Sequence, residues 1–297
     1  MSEANFVICA IVGARSITSV MHAINAGHDI GFASKEALVL AGKQIMSLAR
    51  EKKINMLPID SEHSAIFQAM QAGTSKEVHK IILTASGGPF RDWPTKKMQD
   101  ATLSQALEHP TWSMGTKITV DSATMMNKAL EIIEAHYLFD MPASQIDVLI
   151  HPESIAHSFV EFCDGSVIGQ FSIPDMAMPI QYALTWPVRK NMCISKRLDL
   201  SAIGLLHFHK PDFEKFPALK LGYEVAQAGG TSGAVFNAAN EQAVEIFIQG
   251  KIRFGKIVEL IERVLDKHEF KSEPKLEELF ELDRWARQEI LRIAQND

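Results

Sequence analysis

Short apolar runs alternate with helical patterns through the first sixty residues, and this alternation constrains the fold more than any other feature of the chain. Phe6–Val12, Ile30–Ala33 and Ile54–Ile59 read as strands, the first of them buried; a helix is expected around Thr18–Asn25 and another from Lys35 to about Lys52. The order is β-α-β-α-β. Such a unit implies a parallel sheet with right-handed crossovers, whose ligands bind beyond the carboxyl ends of the strands. Ser34-Lys35-Glu36 and Asp60-Ser61-Glu62 both fall at such ends.

Further along, the period changes. A strand at His79–Thr84 runs into the turn Ser86-Gly87-Gly88-Pro89, and the spacing predicts one helix from about Ser122 to Tyr137, opened by Asp121 and Ser122 as caps. Ser154–Phe162 and Val167–Ser172 read as a hairpin turned at Asp164-Gly165. A sheet with helices on one side is expected there. The pattern weakens between Trp186-Pro187 and Phe216-Pro217, as in a connecting segment. From Ala218 it becomes helical, near Leu219–Gln227, Ala234–Gln249, Ile257–Lys267 and Lys275–Gln295, so a small bundle is expected.

Composition removes several function classes. With 297 residues, 46% of them hydrophobic and 22% charged, the chain has ample apolar surface for a core, and about two domains are expected. A net charge of −6 supplies no overall basic field for nucleic acid. Cys9, Cys163 and Cys193 are odd in number and widely spaced, which argues against a disulfide framework or a zinc knuckle and favours a reducing cytoplasm. Phe6–Val12 is too short to span a bilayer, and the Met-Ser-Glu start lacks the basic region of a secretory signal.

Several segments carry groups suited to chemistry, each with a plain structural alternative. Asp60 and Glu62 lie where an apolar strand gives way to a helix; they are either an acidic helix start or part of a site for a hard cation such as Mg²⁺ or Mn²⁺. Asn127, Lys128 and Glu131 share one helical face, bringing together a neutral donor, a cation and a carboxylate. The alternative is a solvated face with a Lys–Glu pair. Ser122, read as a helix start, adds a hydroxyl where phosphate binds readily. The glycine turn after Ser86 can form an anion-binding concavity. His109-Pro110-Thr111-Trp112-Ser113-Met114-Gly115 suits a loop that closes over a ligand, or a partly buried structural loop. His157 within a strand reads as a core histidine and Met176 as packing, while His207 and His209 are assigned no role.

Taken together and in order, these segments closely resemble one family. Ser34-Lys35-Glu36, Leu57-Pro58-Ile59-Asp60-Ser61-Glu62-His63, Leu83 to Phe90, His109 to Gly115, Lys117 to Lys128 and Ile150-His151-Pro152-Glu153-Ser154 resemble 1-deoxy-D-xylulose 5-phosphate reductoisomerase. The likeness extends to Asn237-Ala238-Ala239-Asn240-Glu241. It implies an α/β fold: a truncated Rossmann-like parallel sheet for NADPH (1–59), an α+β catalytic domain (60–186), a linker (187–217) and a C-terminal helical bundle (218–297). By resemblance, Asp60, Glu62 and Glu131 are divalent-metal ligands, and Lys35, Ser61 and Glu62 surround the reacting oxygens of a sugar phosphate. Ser86, His109, Ser122, Asn127 and Lys128 form the shell around the remaining hydroxyl and the phosphate. Trp112 and Met114 belong to a flap, His157 and Met176 line the pocket, and Ser34, Glu36 and Gly115 face the nucleotide. A cytoplasmic homodimer that binds neither nucleic acid nor membrane is implied.

Where the chain departs from the family pattern, it does so on the nucleotide side. The family's G-x-T-G-x-I-G turn and roughly another half of its dinucleotide fold do not occur in this sequence, Ser34 stands where Asn is usual, and Arg15 where a small residue is usual. The expectation is an intact metal and sugar-phosphate site with weak or absent NADPH binding by the isolated chain. Two rivals follow from the same departures: a catalytically silent dimer partner, and a non-redox metal-dependent isomerase or aldolase.

Overall fold

The computed structural model describes residues 4–191 and 195–296; Cys193 and the Met-Ser-Glu start lie outside them. The chain opens with β1 (Phe6–Cys9), α1 (Arg15–Asn25), β2 (Asp29–Phe32), α2 (Lys35–Lys52), β3 (Met56–Pro58) and α3 (Ser61–Ala69). The three strands form a parallel sheet in the order β1-β2-β3, with Phe6 beside Asp29 and Phe32 beside Pro58. β1 is shorter than the apolar run that announces it. Its partner strand ends at Phe32, so pairing stops at Cys9, and Val12 is 76% exposed rather than buried in a strand.

After β4 (Val78–Ala85) come the short helices α4 (Thr95–Gln99) and α5 (Leu103–Ala106), then α6 (Thr116–Ala123) and α7 (Met126–Leu138). The single helix expected over 122–137 is therefore two, and Asp121 and Ser122 lie in the last turn of α6 instead of capping a helix start. Met125, at φ 61°, takes the left-handed conformation that ends a helical run, and the Thr124 hydroxyl accepts the Met126 amide at 3.3 Å to begin the next.

β5 (Ile146–Ile150), β6 (Ala156–Phe162) and β7 (Val167–Phe171) complete a second sheet, ordered β5-β4-β6-β7. β4 pairs parallel with β5 and antiparallel with β6, and β6 and β7 form the hairpin expected at Asp164-Gly165. Gly165 (φ 84°) supplies the positive φ that a tight turn needs. α8 (Ala177–Thr185) follows, a short helix α9 (Leu200–Ile203) interrupts the connecting segment, and His209 bridges to Ile150. The tail holds α10 (Ala218–Ala228), α11 (Ser232–Ile248), α12 (Lys256–Leu265) and α13 (Leu276–Ala294).

Two compact units result. The first comprises the chain up to Leu38, Gly42–Ser86 and Ala135–Lys210; the second comprises Val39–Ala41, Gly87–Glu134 and the chain from Pro211 onward. Both sheets belong to the first, where Leu57, Ile59 and Ala183 form a core cluster with Phe6, Phe67 and Trp186 packed against it. In the second, α11 is buried along most of its length, and its buried residues include the polar Asn237 and Asn240 beside Val235, Phe236 and Val244. Among the described residues no helix is long and apolar enough to cross a membrane.

Candidate active site

The residues singled out above fall into two groups, one in each unit. In the first, the end of β3 delivers Asp60 to the start of α3, and the turn after β2 delivers Lys35 to the start of α2. Asp60 occupies the N-cap position, but its side chain makes no capping hydrogen bond. Its Oδ2 instead lies 2.6 Å from Nζ of buried Lys35, so the acidic-cap reading does not hold for Asp60. The Ser61 hydroxyl donates to Glu62 Oε2 at 2.5 Å. Two carboxylates and a buried ammonium thus share one corner, with oxygen donors of the kind hard divalent cations prefer.

Ser34 is buried, and its hydroxyl is placed to donate to the carbonyls of Ile11 (2.8 Å) and Cys9 (3.1 Å), tying the end of β1 to the start of α2. A hydroxyl has one proton, so this duty leaves Ser34 its lone pairs for any ligand. Glu36, half-buried, lies in the first turn of α2. Ser86 follows the last residue of β4 and directly precedes Gly87 (φ 84°) and Gly88 (φ 68°), a pair of left-handed residues that turns the chain sharply.

His157 sits at the irregular register between Ala156 and Ser158 on β6, where a bulge re-aims a side chain. Its Nε2 meets the Ser172 hydroxyl at 2.9 Å, and burial holds its pKa below the ordinary histidine value against the opposing pull of Glu62. Ser172 was not anticipated from sequence, although the Asp-Gly hairpin register carries the signal by setting the end of β7 across from His157. Met176, at the start of α8, is 37% exposed, so it is not the packing residue that its apolar character suggests.

In the second unit, α7 carries Asn127, Lys128 and Glu131 on one face. Asn127 Nδ2 donates to Glu131 Oε1 at 2.5 Å, and Lys128 Nζ pairs with Glu131 Oε2. Lys128 is 3% exposed and Glu131 0%, so the solvated-face reading fails; the pair is buried and both carboxylate oxygens are engaged. Ser122 is half-buried in the last turn of α6, where the adjoining helix end offers carbonyls and not free N–H groups; the expected phosphate-attracting N-terminus is not at Ser122.

The loop before α6 is organised by His109. Its Nδ1 accepts the backbone amides of Trp112 (2.9 Å) and Thr111 (3.2 Å), which requires the neutral ring with its proton on Nε2. Burial lowers its pKa and favours the same form. Trp112 and Met114 are half-buried, and Gly115 is exposed at the N-cap of α6.

Comparison with known proteins places these motifs in one context. Models of the 1-deoxy-D-xylulose 5-phosphate reductoisomerase family match residues 1–42, its C-terminal domain matches 56–139, and the DXP reductoisomerase C-terminal domain matches 171–289. The 1-deoxy-D-xylulose 5-phosphate reductoisomerase of Citrifermentans bemidjiense is 54% identical over 296 residues, covering 99% of this chain and 77% of that protein. The protein of the same name from Geobacillus sp. is 52% identical, covering 97% and 76%. Among solved structures, the Zymomonas mobilis enzyme in complex with NADPH superposes with a TM-score of 0.93 at 40% identity, over 99% of this chain and 76% of that one. A reductoisomerase bound to NADPH, fosmidomycin and magnesium gives 0.92 at 41% identity, with the same coverage.

Proposed function

The chain belongs to the 1-deoxy-D-xylulose 5-phosphate reductoisomerase family, and on that premise we propose that Asp60, Glu62 and Glu131 are the carboxylates that take its divalent ion. The reaction is the NADPH- and metal-dependent rearrangement and reduction of 1-deoxy-D-xylulose 5-phosphate to 2-C-methyl-D-erythritol 4-phosphate. The observation that carries this reading is identity above 50% with enzymes of that name across nearly the whole chain. Held by Asp60, Glu62 and Glu131, Mg²⁺ or Mn²⁺ would supply Lewis-acid polarisation of the substrate's carbonyl, and NADPH would supply the reducing equivalent.

The side chains divide the remaining work. Lys35, already beside a carboxylate, is suited to stabilise negative charge developing on a substrate oxygen. Ser61 and Glu62 orient the reacting end. Ser86, Ser122, Asn127, Lys128 and the Nε2–H of neutral His109 hold the distal hydroxyl and the phosphate, so that binding energy at the phosphate orients the carbon skeleton. Trp112 and Met114 close over the substrate and exclude water, His157 and Met176 line the pocket, and Ser34, Glu36 and Gly115 face the nucleotide. The same reading assigns nucleotide binding to 1–59, catalysis to 60–186, linkage to 187–217 and the helical bundle to 218–297, in a cytoplasmic homodimer.

Glu131→Gln tests the metal assignment. Replacing one of three anionic ligands by a neutral amide should weaken Mn²⁺ binding about tenfold or more, measured by calorimetry. An unchanged Mn²⁺ affinity would remove Glu131 from the site.

A further inference from the structure

The Asn237–Glu241 segment of α11 is part of the family likeness, yet none of its side chains has a role in the reading above. Asn240 is fully buried, and its Nδ2 donates to Oδ1 of Asp121 at 3.1 Å, across 119 residues of chain. The other oxygen, Asp121 Oδ2, lies 2.6 Å from Lys117 Nζ one turn earlier on α6. Both carboxylate oxygens of a buried aspartate are therefore committed, one to its own helix and one to α11. The helix that holds Asn240 is itself pinned from its next residue, because Glu241 Oε2 meets Arg287 Nη2 at 2.5 Å and Arg287 is also bonded to Asp283 on α13.

Asp121 immediately precedes Ser122 in the last turn of α6. A side chain fixed at one helical position fixes the rotation of that turn, and with it the direction of its neighbour about 100° around the axis. The carbonyl side of the same serine is packed just as closely: a Cβ on Gly88 would stand 2.5 Å from the Ser122 oxygen. We propose that Asn240 is a positioning residue of the phosphate pocket, setting the direction of the Ser122 hydroxyl through Asp121. The inference rests on the assignment of Ser122 to the phosphate shell.

The test compares binding of 1-deoxy-D-xylulose 5-phosphate in the presence of Mn²⁺ with binding of Mn²⁺ alone, both by calorimetry on the full chain. Asn240→Asp sets two carboxylates against each other and should weaken the sugar phosphate about tenfold, the worth of one hydrogen bond to a charged group, while Mn²⁺ affinity stays within about twofold. The exchange Asp121→Asn with Asn240→Asp rebuilds an amide-to-carboxylate bond with donor and acceptor reversed, and should recover most of the loss. If Asn240→Asp does not fold, Asn240→Ala removes the donor without adding charge and should show the same selective loss. Sugar-phosphate affinity at the parent value, or a parallel fall in both affinities, overturns the proposal. Ser122→Ala separates the premise from the inference. If Ser122→Ala binds the sugar phosphate like the parent, the premise fails; if it weakens binding and the Asn240 variants do not, the inference alone fails.

Discussion

At His109 one imidazole has two separate duties, because its nitrogens are not equivalent. Nδ1 accepts the Thr111 and Trp112 amides and so shapes the loop, which places the proton of the neutral ring on Nε2. Burial lowers the His109 pKa, so between that value and about 6.5 the unfolded chain binds more protons at this residue than the folded one. The stabilisation is complete above the unfolded value and disappears as pH falls through the folded one. His109→Asn, whose Oδ1 can accept the same amides without titrating, should flatten the decline of the thermal midpoint between pH 7 and 5. Identical slopes for variant and parent would remove His109 from this account. His157, whose pKa is lowered by burial, adds a term of the same sign. The residue types were legible in the sequence, including the shared face of Asn127, Lys128 and Glu131. Their burial was not, since a lysine three residues from a glutamate has the same spacing on a wet surface as in a core.

The helices of the tail show how far periodicity reaches. All four lie where apolar spacing puts them, to within a few residues at each end. The break between α6 and α7 escapes that logic, because apolar spacing continues through Met125 and Met126 while the backbone does not. Thr124→Ala removes the hydroxyl that accepts the Met126 amide and should cost about 1 kcal/mol in chemical denaturation, the usual worth of such a cap. A second device is close helix packing: a Cβ on Gly222 of α10 would come within 2.8 Å of the Ala129 Cα in α7. Gly222→Ala should therefore cost about 1–3 kcal/mol by overpacking. Since Ala129 lies between Lys128 and Glu131, the same variant should also lower Mn²⁺ affinity. An alanine tolerated there with both properties unchanged would mean that α7 can shift without consequence.

Across the whole molecule, the compact units are assembled from discontinuous pieces, whereas a reading along the chain yields consecutive segments. The four-stranded sheet ends at β7, whose Val167, Ile168 and Phe171 are exposed. An apolar edge strand is a ready surface for a second chain, and lysine on such an edge opposes pairing. If the chain forms the homodimer proposed above and does so through this edge, Ile168→Lys should shift the light-scattering mass from two chains towards one; a mass unchanged by the substitution would remove this edge from the interface. Apolar periodicity and motif order, being local properties, were enough to specify the parallel β-α-β start, the Asp-Gly hairpin, the helical tail and the family. Which groups are buried and which partner each one meets was left to packing. Lys35 on Asp60, Ser172 on His157 and Asn240 on Asp121 join positions 15 to 119 residues apart, and no local pattern encodes such a distance.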